Sequence, residues 1–137
     1  MLMNRHIISL FAVLLFLVGC SNHVSLSGRV TYSDDGTPLE AGTVIFQPVV
    51  EPEKFYARGE IREDGKYVLA TARPNDGLPP GKYQVYVSSA YRVVNETEVP
   101  IITSKYTSAE TSGLEVDVDR STKTFDFQVD RAPGTKQ

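Results

Sequence analysis

Five carboxylates gather toward the C-terminus: Glu115, Asp117, Asp119, Asp126 and Asp130. If residues 120–123 turn a hairpin, Val118 lies opposite Phe125, Val116 opposite Phe127, and Asp117 opposite Asp126, with the other three acids on the same outer face. Directly opposed like charges cost a few tenths to ~1 kcal/mol. Such a patch could take a hard divalent cation such as calcium through its oxygens, or dock a basic partner. The alternative is a solvated edge screened by Arg120, Lys123 and Arg131. Asp34-Asp35-Gly36 and Glu63-Asp64-Gly65 lack the ligand spacing of a calcium loop and read as turns. Other chemistry has little to work with. Cys20 is the one cysteine, which excludes an intrachain disulfide, and the two histidines, His6 and His23, precede the patterned region. Histidine-dependent nucleophilic catalysis and imidazole-bound zinc are therefore excluded, and neither a catalytic residue nor a cofactor is expected.

Cys20 ends a distinctive leader. Arg5 supplies a positive start, residues 7–18 are apolar apart from Ser9, and Gly19 provides the small residue that a signal peptidase requires. This run is well short of the ~20 residues that a helix needs to span a bilayer. Leu17-Val18-Gly19-Cys20 resembles the bacterial lipobox. That resemblance implies cleavage between Gly19 and Cys20, diacylglycerol on the thiol, and acylation of the freed amine by a fatty acid such as palmitate. Because a single acyl chain binds a membrane only marginally, two or three make a stable anchor. By the same resemblance, Ser21 after the cysteine, in place of Asp, implies sorting to the outer membrane of a Gram-negative cell, giving a periplasmic-face or cell-surface location. Residues 1–19 are thus a signal peptide and residues 20–23 a lipidated cysteine with a tether. At ~3.6 Å per residue the tether lifts the domain only about 10 Å from the bilayer. Cleavage leaves about 120 residues, enough for one domain. The formal net charge of −3 disfavours a nucleic-acid partner.

The elements that position these groups read as strands. Residues 24–32 alternate apolar and polar at period two. The same pattern recurs at Val44 and Phe46, at Phe55, Ala57, Gly59 and Ile61, at Tyr67 and Leu69, and at Tyr83, Val85 and Val87. It returns at Leu114, Val116 and Val118, then at Phe125, Phe127 and Val129. Gly- and Pro-containing turns separate the segments, and no 3.6-residue apolar period is convincing. Seven short strands cannot hide their apolar sides in one open sheet, so an all-β, seven-stranded, two-sheet sandwich is predicted over residues 24–131, with residues 132–137 as a tail. Residues 90–113 make a long connection covering an edge or end, with a short extra strand around 99–102. Tyr56, Tyr86, Ile45 and Val68 should face away from the core, where they could contact an oligomer partner or a carbohydrate.

Gly28-Arg29-Val30, then Gly36-Thr37-Pro38-Leu39-Glu40-Ala41-Gly42-Thr43-Val44, resemble the opening of carboxypeptidase regulatory-like domains, which have the transthyretin-like (prealbumin-like) fold. Gly59-Glu60-Ile61, Asp64-Gly65-Lys66-Tyr67 and Pro79-Pro80-Gly81-Lys82-Tyr83 resemble later hairpins and a strand start of the same family. Lys105-Tyr106 and Thr111-Ser112-Gly113-Leu114 are similar to a subgroup of small bacterial lipoproteins. The resemblance implies structural roles for Gly28, Gly36, Pro38, Gly65, Gly81 and Tyr83. Together these readings lead to the expectation of a non-enzymatic envelope module held to the membrane by lipid that meets a protein or glycan partner; the alternative is a small-ligand or cation-binding protein using the acidic hairpin or the 90–113 connection. Residues 131–137 lack the Tyr-Arg-Gly-Ser ending of the related purine-pathway hydrolases. The first strand carries Arg29 where self-crosslinking surface sandwiches place lysine. Independently of the family, Tyr83 lies in phase with Val85 and Val87, so its buried hydroxyl should bond nearby backbone.

Overall fold

The structure, a computed structural model, describes residues 22–135. The segment read as a signal peptide (residues 1–19), Cys20 and Ser21 lie outside the described residues. Nine strands form among the described residues: β1 (Ser27–Tyr32), β2 (Thr43–Pro48), β3 (Ala57–Glu60), β4 (Lys66–Val68), β5 (Gly81–Ser88), β6 (Tyr91–Val94), β7 (Thr97–Pro100), β8 (Leu114–Val118) and β9 (Phe127–Val129). A 3-10 turn (Ser104–Thr107) and one short helix, α1 (Ala109–Ser112), precede β8. The seven strands expected from alternation make two sheets, ordered β4-β1-β9 and β3-β2-β5-β8. The fold is a two-sheet β-sandwich.

Alternation becomes burial directly. Tyr83, Val85 and Val87 of β5 are buried while the residues between them are only half-covered. Phe46 packs at 5.9 Å from Tyr83 and edge-on at 5.8 Å from Phe125, and Phe125 lies 5.6 Å from Phe127, so aromatic rings from both sheets meet in the core. The Tyr67 hydroxyl donates to the Phe125 carbonyl, and burial pushes this phenol above its ordinary range. Gly28 faces that bond. A Cβ there would stand 2.0 Å from the Phe125 oxygen and 2.6 Å from the Tyr67 hydroxyl. Gly65 sits at φ 81°, where a Cβ would meet the Val30 carbonyl at 2.6 Å, while its own carbonyl accepts from Val30 N at 2.9 Å.

The expected hairpin at the C-terminus does not form. β8 lies antiparallel on β5, with Val118 opposite Gly81 and Asp117 opposite Lys82. β9 crosses to the other sheet and runs parallel to β1, with Val30 beside Phe127. This arrangement gives both β5 and β1 a ladder partner. It also lets Val118 and Phe127 enter the core from opposite layers, as the apolar phase demands, without opposing Asp117 to Asp126.

The connection from 90 to 113 holds more structure than one extra strand. β6 and β7 pair as a hairpin, Tyr91 opposite Pro100 and Val94 opposite Thr97, around Asn95 and Glu96 at φ 49° and 63°. Both turn residues are left-handed, as a tight two-residue hairpin requires. The 3-10 turn and α1 then pack beside β5 where β8 has not yet begun, covering an otherwise open edge. At the C-terminus Ala132 N bonds the Ile101 carbonyl at 3.1 Å and Thr135 is buried, so the chain stays packed beyond residue 131.

Candidate functional site

The sandwich has two distinct ends. At one, Val24 bridges Leu78, His23 Nδ1 lies 3.2 Å from the Asp76 carbonyl, and the Arg120 guanidinium donates to Asn22 at 3.1 Å. β1 runs away from that end, and the turn after it meets β9's continuation at the other. There Arg131 lies over the Tyr32 ring, its guanidinium carbon 3.6 Å from the ring centroid. The same guanidinium pairs with Asp34 at 3.1 Å and Asp35 at 3.2 Å and donates to Thr37 Oγ1 at 3.3 Å.

The local sequence explains this cluster. Asp34-Asp35-Gly36-Thr37 turns back on β1, with Gly36 at φ 73° and Asp35 accepting from Thr37 N at 3.0 Å. Pro38 then bridges to Thr31. Hydrogen bonds from Thr37 hold the Asp35 carboxyl below its usual range, while the bond and charge of Asp34 hold the Arg131 guanidinium protonated above its own. Burial raises the Tyr32 phenol.

Beside this cluster opens a cleft of about 880 Å³ between the turn after β1 and the hairpin. Its charged lining is mixed: Arg92 and Arg131 against Asp35, Glu40 and Glu63. Arg92 Nε is buried without a hydrogen-bond partner. The hairpin that carries it exposes Tyr91, Val93 and Val94. Mixed charges with hydroxyls and a ring suit a ligand that both donates and accepts hydrogen bonds. Sequence reading missed this cleft, because its parts come from segments far apart in the chain: the β1–β9 pairing brings Arg131 to Tyr32, and the Ile102–Arg131 bridge brings the 90–113 connection beside them.

The five acids proposed from sequence are dispersed. Glu115 pairs with Lys82 at 3.4 Å, and Asp117 faces Lys82 across the ladder. Asp119 accepts from Ser121 Oγ at 2.5 Å and Ser121 N at 2.8 Å within its own turn, and those bonds hold its carboxyl low. Asp126 accepts from Arg29 N at 2.8 Å on the other sheet. Asp130 accepts from Ser33 Oγ at 2.5 Å and the Tyr106 hydroxyl at 3.2 Å. Among the described residues, no group of three or more His, Cys, Asp or Glu is placed to hold a metal. The shared acidic face is corrected by strand pairing: it needed β8 and β9 as neighbours, and they belong to different sheets.

The structural residues fare differently. The Tyr83 hydroxyl donates to the Pro79 carbonyl at 2.6 Å, the local backbone bond its strand phase predicts, and burial pushes its phenol up to about 12. Gly81 opens β5 opposite Val118. Tyr56, Tyr86, Ile45 and Val68 alternate out of the core and are half-buried, with the Arg58 guanidinium 5.8 Å from the Tyr56 ring centroid.

No protein-family model matches the chain, and no curated protein matches it. Among solved structures, the major pilin subunit BcpA of Bacillus cereus is similar over 80% of this chain and 30% of its own length, with 14% identity and a TM-score of 0.51. The pilus 2b backbone protein of group B streptococcus matches over 81% of this chain and 42% of its own, at 9% identity and TM-score 0.45. A DUF3823 family protein from Parabacteroides merdae matches over 82% and 47%, at 18% identity and TM-score 0.43. The chain spans less than half the length of each. The likeness to the pilin subunit shows a shared β-sandwich fold.

Proposed function

We propose that this protein is a non-enzymatic, lipid-anchored module of the bacterial cell envelope, with a carboxypeptidase regulatory-like, transthyretin-like domain. Acylated Cys20 would hold it in the membrane, and the end of the sandwich farthest from that residue would meet an envelope protein or glycan. One observation carries the reading: the described chain begins at one end of the sandwich, while the Arg131–Tyr32 cluster, the cleft and the exposed hairpin lie at the other. A domain held by its first residues presents its opposite end outward. The fold it shares with a major pilin subunit supports a structural role.

Two measurements in the intact cell test this. Radiolabelled palmitate should enter the wild-type protein and not Cys20→Ser, and only the wild type should partition into detergent. A photo-crosslinking residue at Tyr91 should then capture a discrete partner that the same residue at Arg73 does not, Arg73 lying at the other end, where its N–H donates to the Asp76 carboxylate beside His23. Equal labelling of both forms ends the anchoring claim, and identical adducts from both positions end the claim about orientation.

Small-ligand binding is the second reading, and it is favoured by the buried, unpartnered Arg92 Nε beside the cleft. A soluble oligosaccharide that shifts the amide signals of Tyr91 and Arg92 in the wild type, but not in Arg92→Ala, would support it.

A further inference from the structure

The exposed large apolar side chains among the described residues form two groups. Tyr91, Val93 and Val94 belong to the hairpin already described. Val49 and Val50, 41% and 77% exposed, stand on the loop after β2 at the opposite end. Their position follows from the ladder. Val49 N bonds the Lys82 carbonyl at 3.0 Å, Gly81 lies opposite Val118, and Arg120, two residues beyond Val118, bonds Asn22. Three neighbouring strands, β8, β5 and β2, therefore end in one row at the side where the chain enters. Two strand spacings make that row about 10 Å wide.

The loop is built to hold its tip out. Lys54 N bonds the Glu51 carbonyl at 3.0 Å and Lys54 Nζ pairs with Glu51 at 3.3 Å, closing the turn. Behind it, Phe55 packs against the core and lies 6.2 Å from the Tyr83 ring. The two valines thus project from an anchored stem. Nothing in the described chain covers Val50.

We infer that the Val49–Val50 tip is a second membrane contact, seated in the headgroup layer of the same bilayer that would hold acylated Cys20. The inference rests on the anchoring reading, and chain length selects the occupant. Asn22 and His23 are both bonded to the domain, and two residues of chain, ~7 Å at full extension, is all the backbone that separates Asn22 from Cys20. The apolar tip and the acyl chains then leave the same end of the molecule, within reach of one surface. Lys54 lies beside the tip, its ammonium held by Glu51 at 3.3 Å and its aliphatic stem running along the loop. Glu51 and Glu53 outnumber Lys54 in the loop, so the contact draws on apolar burial and not on attraction to an anionic lipid.

Because Cys20 is the only cysteine, Val50→Cys in the lipidated full chain adds a single free thiol once Cys20 is acylated. A nitroxide placed there, in vesicles of phosphatidylethanolamine and phosphatidylglycerol, should collide several-fold more with dissolved oxygen, relative to an aqueous nickel chelate, than the same label at Val93→Cys. Flotation with the vesicles reads the anchor separately. Protein that floats but shows equal water access at both positions overturns the tip contact and leaves the anchor standing. Protein that fails to float overturns both.

Discussion

A methyl group added at position 28 has nowhere to go. Its neighbours are the Phe125 carbonyl and the Tyr67 hydroxyl that donates to it, one of them backbone and the other clamped by the core. Gly28→Ala must push β1 and the chain before β9 apart, and a loss of about 3 kcal/mol is expected, at the upper end for overpacking. A urea midpoint that stayed within error of wild type would contradict the close approach. Tyr83 makes a subtler case. Tyr83→Phe keeps the ring and strands the Pro79 carbonyl, an expected cost of ~1 kcal/mol at neutral pH. Its titration gives a second readout. The folded phenol, near 12, sits above its ordinary 10.0, so its contribution is complete below pH 10 and is lost as pH rises toward 12. The variant should therefore lose stability less steeply than wild type across that alkaline interval, in thermal melts taken at stepped pH. Tyr83 was legible in the sequence because its phase and the Pro-Pro-Gly before it are local. The need for glycine at 28 was not physically legible, since the atom it would strike belongs to a strand partner about a hundred residues away.

Most strands were legible for the same reason that the hairpin β6–β7 was blurred. Period-two alternation marks a segment with one face against a core, and β1, β2 and β5 have that; β6 and β7 do not. Their residues are largely exposed, and the two strands pair only with each other among the described elements. An isolated two-stranded ribbon is marginal in water. The turn adds to this weakness, because Glu96 at φ 63° occupies a conformation that costs a side chain about 1 kcal/mol and that glycine adopts freely. Glu96→Gly should slow amide exchange at Arg92 and Val99 by a few fold while leaving the global melting temperature nearly unchanged, because the hairpin opens without the sandwich. Equal exchange in the two proteins would mean that the turn is not what limits the hairpin. Alternation also could not report which strands are neighbours. Residues 114–118 and 127–129 looked like one hairpin because they are close in sequence and share a phase, yet the unpaired edges of β5 and β1 draw them apart.

That crossing governs the molecule as a whole. β1, among the first described residues, closes its sheet only when β9 arrives, with Arg29 and its partner Asp126 97 positions apart. Every long-range closure of this kind costs chain entropy before any contact repays it, so the sandwich should fold slowly, in milliseconds to seconds. The last strand also brings Phe127 and Val129 into the centre and carries Arg131 to Tyr32 beyond it, which makes core and cleft depend on the same few residues. Removing residues 125–137 would leave β1 with an open inner edge and take two buried side chains and the Phe125 ring from between the layers. The truncated chain should not be a trimmed sandwich with a missing site. It should lose its cooperative thermal transition and its near-ultraviolet dichroism together, because at about 100 residues little stability remains to spare after a core strand goes. A truncated protein that still melted sharply would show that the β4-β1 pair and the four-stranded sheet suffice alone, and that β9 serves the cleft without holding the fold.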